Sequence, residues 1–248
     1  MNSRSSLIIS AVLLLGAVPV SGQQAVAHYT KPSIPNHMNT PDGFVPPGWK
    51  IVAEAQGELD EGKRSAVALV LNRAGKPDIS QDGDDDDVAR RLLLVAVKAD
   101  GGGYDLVASN DTLIFLRDDE WRLVSLSGPF NQSGLVFARG ALRLSLQTEW
   151  YKGNDAGQSQ TFAFRLKEGH LILIGYDRWA VSQSLETVSK SYNFLTGKAR
   201  LSQGIDCAGR KDVIAYCHYM SSWKRLKIVQ PPLIEQIGDA WAFDPATE

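Results

Sequence analysis

Two carboxylates that stand beside aromatic residues are the side chains in this sequence best placed to do chemistry. Glu149 and Asp177 could serve as the acid and the base of a glycoside hydrolase, which needs two carboxylates facing one sugar. Their aromatic neighbours could instead stack on a sugar ring without catalysis, although aromatic pairs also stabilise ordinary sheets. These neighbours are Trp150, Tyr151, Tyr176 and Trp179. The sequence thus offers one candidate acid pair and one candidate ligand-binding set.

A second acidic group lies in the segment Gly57–Lys63. Glu58, Asp60 and Glu61 bring carboxylates together there, ahead of the apolar run Ala66–Val70. Hard oxygen ligands in a flexible loop suit Ca²⁺, so the three side chains form a candidate calcium site. The alternative is a tight polar turn that joins two strands. The residues indicate no other cofactor.

The charge balance and the missing motifs argue against several classes of protein. The chain has 26 Lys and Arg residues against 28 Asp and Glu, a net charge of −2, so no basic excess is available to bind nucleic acid. No pair among its 4 histidines has the spacing of zinc ligands, and no G-x-S-x-G motif marks a hydrolase nucleophile. An aspartate-rich run between residues 82 and 87 is typical of a solvated loop. The sequence therefore favours a non-catalytic protein.

Residues 1–22 have the three-part form of a secretory signal peptide. Arg4 supplies positive charge, the stretch Leu7–Val20 carries none, and small residues precede the expected cleavage after Gly22. The apolar stretch is short for a bilayer span, and no later run of about 18 apolar residues follows. We therefore expect a mature chain without a membrane span, located in the periplasm or secreted.

The chain contains 2 cysteines, Cys207 and Cys217. Export would place both in an oxidising compartment, where a bridge between them would close a loop of about 11 residues. A dithiol oxidoreductase would need a C-x-x-C motif, which these cysteines do not form. We therefore expect one structural disulfide near the C-terminus.

The segment 23–48 is rich in proline and predicts either an extended linker or a strap over the surface of the domain that follows. The folded domain is expected to begin at Trp49 and to continue to residue 248 as a single unit. Within it, short apolar runs alternate with turn residues, and no sustained helical period is found. The organisation is thus a signal peptide (1–22), a Pro-rich segment (23–48) and one β domain (49–248).

Two hairpins stand out within this domain. Leu142, Leu144 and Leu146 alternate with polar residues after the turn pair Arg139-Gly140. A second alternating strand ends at Glu168-Gly169 and leads into an apolar strand; such X-Gly pairs supply the positive φ of tight hairpin turns. About ten short strands of this kind predict an all-β fold, either an antiparallel sandwich or an open barrel. Further predicted strands include Tyr104–Ala108, Leu113–Leu116 and Arg225–Val229.

Two sets of residues resemble known families. The segment Gly57–Lys63 with its following strand is similar to the acidic loop-then-strand signature of FG-GAP/VCBS-type β repeats, with Glu58 and Asp60 at the first two calcium positions and Ser65 where the repeats close with Asp. A wider set resembles a group of uncharacterised exported bacterial proteins that begin with the same degenerate acidic loop. It consists of Tyr104–Asn110, Leu173–Asp177 and Tyr192–Lys198. The resemblance implies an exported all-β domain and brings no catalytic residues with it.

Together these features predict an exported, non-catalytic binding or interaction module of the bacterial cell envelope. Its expected partner is an envelope protein or glycan. Two alternatives remain open: a hydrolase acting on envelope glycans or peptides through Glu149 and Asp177, and a calcium-stabilised β module that uses Glu58, Asp60 and Glu61.

Overall fold

The computed structural model describes residues 30–60, 62, 64–73, 90–115, 122–126, 134–150, 157–182, 186–205, 220–226 and 230–245. Over these ranges the chain forms 13 β-strands and two short 3-10 turns, at Pro41–Phe44 and Ile234–Gln236. The all-β prediction is confirmed. No membrane-spanning helix is found in the described part of the chain.

The strands form two antiparallel sheets. The first has five strands in the order β1-β5-β4-β3-β2. Their bounds are β1 His37–Met38, β2 Trp49–Leu59, β3 Arg64–Arg73, β4 Arg90–Lys98 and β5 Tyr104–Phe115. Several strands are longer than the sequence predicted; β5 joins two predicted strands, Tyr104–Ala108 and Leu113–Leu116, into one.

The second sheet has eight strands in the order β13-β12-β11-β10-β9-β8-β6, and β7 pairs with the first half of β8. Their bounds are β6 Arg122–Leu126, β7 Leu135–Ala138, β8 Ala141–Trp150, β9 Gly157–Lys167, β10 His170–Val181, β11 Glu186–Asn193, β12 Lys198–Ile205 and β13 Met220–Arg225. Within the described residues the strands form two antiparallel sheets that do not close into a barrel.

Both predicted hairpin turns form. Arg139 and Gly140 have φ of 54° and 70° between β7 and β8, and Glu168 and Gly169 have φ of 53° and 83° between β9 and β10. Two successive residues with positive φ are what a two-residue primed turn requires, because its twist matches that of the strands. The turns fix the register of β7, β8, β9 and β10.

One core cluster draws residues from both sheets. Alternate residues of each strand point into it, as the period of two demands. From the large sheet come Leu142, Phe162 and Tyr176, each 0% exposed, and from the small sheet Val70 and Leu93, also 0% exposed. We call the opposite side of the eight-stranded sheet its outer face.

The Pro-rich segment covers the other side of the five-stranded sheet. Phe44 is 1% exposed and packs in a second cluster with Leu69 and Leu94, and Met38 lies against the same cluster. Strand β1 pairs with β5. The segment is thus a strap, and the fold begins before Trp49, because the small sheet has two apolar faces and needs a cover on each.

The C-terminal segment 230–245 joins the two sheets. The backbone N–H of Leu173 in β10 donates to the carbonyl oxygen of Pro232 at 2.9 Å, and the N–H of Ala240 donates to Leu113 in β5 at 3.2 Å. Ile234, Ile237 and Phe243 enter the shared core from this segment. Strand periodicity alone gave no sign of this irregular segment.

Several predicted features lie outside the described residues. These are the signal peptide, both cysteines of the expected disulfide (Cys207 and Cys217), Glu61, Tyr151 and the aspartate-rich run at 82–87.

Candidate functional site

The outer face of the eight-stranded sheet carries Asp177 and Trp179. Both lie on β10, are exposed, and alternate with Tyr176 and Arg178 on the inner side. Trp179 is 42% exposed, which is unusual for so large an apolar side chain. This face therefore holds part of the ligand-binding set predicted from the sequence.

A row of hydroxyl side chains crosses the sheet at the level of Trp179. Trp179 pairs with Ser159 on one side and Ser189 on the other. The row continues through Ser202 to Ser221, whose hydroxyl oxygens are 2.7 Å apart. Directly paired residues of an antiparallel sheet share a face, so these small polar side chains form one floor beside the indole ring.

A second tryptophan stands on the same face. Trp223 of β13 pairs with Arg200, which pairs with Ser191, which pairs with Asp177. Trp223 is 70% exposed. Three strand spacings separate β10 from β13, which places the two indoles on the order of 15 Å apart. We call Trp179, Trp223 and the intervening serines the tryptophan face.

Tyr176 does not belong to this face. It is 0% exposed, its hydroxyl donates to the carbonyl oxygen of Phe243 at 3.1 Å, and it accepts from the amide nitrogen of Gln160 at 2.9 Å. Burial, opposed in part by the hydrogen bond from Gln160, raises the pKa of Tyr176 to about 12. The structure thus corrects the prediction for Tyr176: it is a core residue.

Glu149 and Asp177 are not brought together by the backbone. Glu149 pairs with Gly157, which pairs with Val181, whereas Asp177 pairs with Thr161. The two residues are therefore two strands apart and offset by four residues along the strand direction, which places their Cα atoms about 16 Å apart. Glycosidase carboxyl groups lie roughly 5–10 Å apart. Trp150 pairs through its backbone with Arg122 at the end of β8.

The acidic segment forms the turn between β2 and β3. Asp60 has a φ of 74°, and Arg64 donates to its Oδ2 from Nε at 2.8 Å and from Nη2 at 2.7 Å. Partial burial by itself would raise the pKa of Asp60, but the hydrogen bonds and the charge of Arg64 outweigh it and hold that pKa below its ordinary value. Glu58 is exposed nearby. Among the described residues no group of three potential metal ligands is found.

Trp223 is the site residue that sequence reasoning missed. The sequence predicted a strand at Arg225–Val229, whereas β13 runs from Met220 to Arg225. The alternation of Ser221, Trp223 and Arg225 on one face was the available signal. No protein-family model matches the chain, and neither the curated proteins nor the solved structures contain a significant match.

Proposed function

We propose that this chain is an exported, non-catalytic binding module of the bacterial cell envelope, and that its tryptophan face binds a glycan. One observation carries the proposal: Trp179 and Trp223 are 42% and 70% exposed on one face of one sheet. Sugar rings present apolar C–H faces that stack on indoles, and hydroxyl groups that pair with small polar side chains. Ser189 and Ser221, in the row between the indoles, supply such partners, whereas Ser202 is buried and hydrogen-bonded to Ser221.

The charges on this face also suit a ligand that is neutral or carries charges of both signs. Asp177 and Arg200 lie in the same cross-strand row, separated by Ser191, so the face carries both signs. Serine side chains line the row at the level of Trp179, and the exposed side chain of Arg200 lies beside Trp223. A long polar chain lying across the strands would contact both rings. Export and the envelope location are supported by the form of residues 1–22.

The test is a binding measurement with the mature chain, residues 23–248. Insoluble peptidoglycan and soluble glycan fragments are the probes, with Trp179→Ala and Trp223→Ala as variants. Leu195→Ala is the matched control, because Leu195 is 58% exposed in the turn after β11 and lies away from the face. We expect each tryptophan variant to weaken binding roughly tenfold or more, as buried aromatic anchors do, and the control to bind as the parent chain does.

Two results would overturn the proposal. Binding that survives both tryptophan substitutions would remove the face as the site. Release of soluble reducing ends from the glycan, lost in Glu149→Gln or Asp177→Asn, would show a hydrolase instead.

A further inference from the structure

A cavity of about 590 Å³ lies where the β2–β3 hairpin meets the β7–β8 hairpin. Glu58 and Asp60 line it from the first hairpin, Phe137 and Arg139 from the second, and Arg165 from β9. Its volume falls within the roughly 300–1,000 Å³ that small-ligand sites occupy. Its lining combines carboxylates and guanidinium groups with one aromatic ring.

The two hairpins are held together by close backbone contacts. The N–H of Asp60 donates to the carbonyl oxygen of Gly140 at 3.1 Å. A Cβ on Gly140 would lie 2.8 Å from the carbonyl oxygen of Asp60, and a Cβ on Gly57 would overlap the side chain of Phe137. Both glycines allow an approach that any side chain would prevent. The walls of the cavity are therefore fixed relative to each other.

The charged groups of the cavity differ in what they already bind. Asp60 is neutralised by Arg64, which donates to it twice. Within the described ranges, the side chains of Glu58 and Arg139 form neither a hydrogen bond nor an ion pair, and both are exposed to solvent. Arg165 adds a second guanidinium to the lining. The cavity thus offers one carboxylate and one guanidinium to a ligand.

We infer that this cavity binds a small zwitterion, such as a free amino acid or a short peptide. A guanidinium pairs with a carboxylate through two parallel hydrogen bonds, so Arg139, beside Arg165, would hold the ligand carboxylate. Glu58 would accept from the ligand ammonium. Phe137 supplies an apolar wall for a short side chain.

This site is separate from the tryptophan face. Arg165 lies six residues along β9 from Ser159, the residue opposite Trp179, which is about 20 Å along the strand. The inference therefore does not depend on glycan binding. Trp179→Ala should leave zwitterion binding unchanged.

The experiment is an NMR titration of the ¹⁵N-labelled mature chain with alanyl-alanine, its N-acetyl derivative and its C-terminal amide. We expect the free dipeptide to bind and each blocked form to bind roughly tenfold more weakly, because each loses one charge-assisted contact. Arg139→Asn should weaken binding of the dipeptide roughly tenfold, because the guanidinium is lost. The turn should be kept, since Asn tolerates the positive φ of 54°. The Glu58→Gln variant should bind the free dipeptide and the N-acetyl dipeptide with equal affinity, because it lacks the carboxylate that accepts from the ligand ammonium.

Matched controls lie on the same strands. Glu54→Gln replaces another exposed carboxylate of β2, and Arg143→Asn another exposed arginine, of β8. Neither should change binding. The inference is overturned if the dipeptide shows no saturable binding, if the controls weaken it as much as the cavity variants do, or if inorganic phosphate binds as tightly as the dipeptide.

Discussion

The hydroxyl of Tyr192 donates a hydrogen bond to Oδ1 of Asp244 at 3.1 Å, and Lys190 bonds to the other carboxylate oxygen. Tyr192 lies on β11 and Asp244 on the C-terminal segment, 52 residues apart in sequence. Tyr176 stacks on Tyr192 with ring centroids 5.8 Å apart and meets Phe243 edge-on at 5.0 Å. These contacts fix the end of the C-terminal segment to the large sheet.

Stability should fall above pH 10 because of these two tyrosines. Burial raises the pKa of Tyr176 to about 12, and burial together with the negative charge of Asp244 raises the pKa of Tyr192 further. In the unfolded chain both ionise near pH 10. Between about pH 10 and 12 the unfolded state therefore binds fewer protons, and the free energy of unfolding decreases as pH rises.

Urea unfolding at a series of pH values from 8 to 11.5 would measure this loss, with the range set by the ordinary tyrosine pKa of about 10. Tyr176→Phe with Tyr192→Phe is the control. The double variant should be less stable at pH 8, because hydrogen bonds are lost. Its free energy of unfolding should nevertheless decrease less steeply above pH 10. An equally steep decline in the double variant would contradict this explanation.

Asn110→Ala should destabilise the protein by about 2–4 kcal/mol, since it leaves several buried groups unsatisfied. Asn110 is 2% exposed and donates to the carbonyl oxygens of Ile234 and Ile237 at 2.6 and 2.9 Å. Its Oδ1 accepts from the backbone N–H of Leu113 at 2.7 Å. Limited proteolysis should show earlier cleavage of the C-terminal segment.

The control for Asn110 is Asn193→Ala. Asn193 is exposed, and among the described residues its side-chain oxygen accepts one hydrogen bond, from the backbone N–H of the turn residue Thr196 at 3.0 Å. We expect a cost of about 0.5–1 kcal/mol there. Equal losses in the two variants would mean that Asn110 does not hold the C-terminal segment.

Most of the β-strands and both hairpins were predictable because they depend on local alternation and on turn residues such as Gly140 and Gly169. The side of the sheet on which Tyr176 lies was not predictable. A β-bulge between Leu173 and Gly175 shifts the alternation of β10 by one residue. Counting by twos from Leu171 would bury Trp179 and expose Tyr176, whereas the bulge does the reverse. Tertiary packing decides such a shift, so sequence pattern alone cannot reveal it.

The candidate sites show the same limit. Trp179 was predicted from its aromatic character, but its neighbours in the row depend on strand register across four strands. Glu58 and Arg139 line one cavity only because two hairpins about 80 residues apart are in contact, which no local pattern records.

Gly140→Ala should cost more stability than Gly169→Ala. Both glycines have positive φ, 70° and 83°, so each substitution carries the left-handed penalty of about 1–2 kcal/mol. At Gly169 nothing lies within 4 Å of the added Cβ, whereas at Gly140 it would lie 2.8 Å from the carbonyl oxygen of Asp60. Thermal unfolding of the two variants would measure the difference, and equal melting temperatures would show that the hairpins separate freely.

Loss of the Asp60–Arg64 pair should appear as reduced stability at neutral pH, by a margin that narrows toward acid pH, rather than as a change in calcium binding. Because Arg64 lowers the pKa of Asp60, the pair stabilises the protein above the ordinary Asp pKa of about 4, and that stabilisation is lost as pH falls below it. Arg64→Gln should therefore be less stable than the parent chain at pH 7, by a margin that narrows toward pH 3, as acid unfolding would show. Lys98→Gln on β4 is a control for removing one cation.

Millimolar Ca²⁺ should leave the melting temperature of the parent chain unchanged, since the guanidinium already occupies Oδ2 of Asp60. A rise that a chelator reverses would contradict this and restore the calcium hypothesis for Glu58, Asp60 and Glu61.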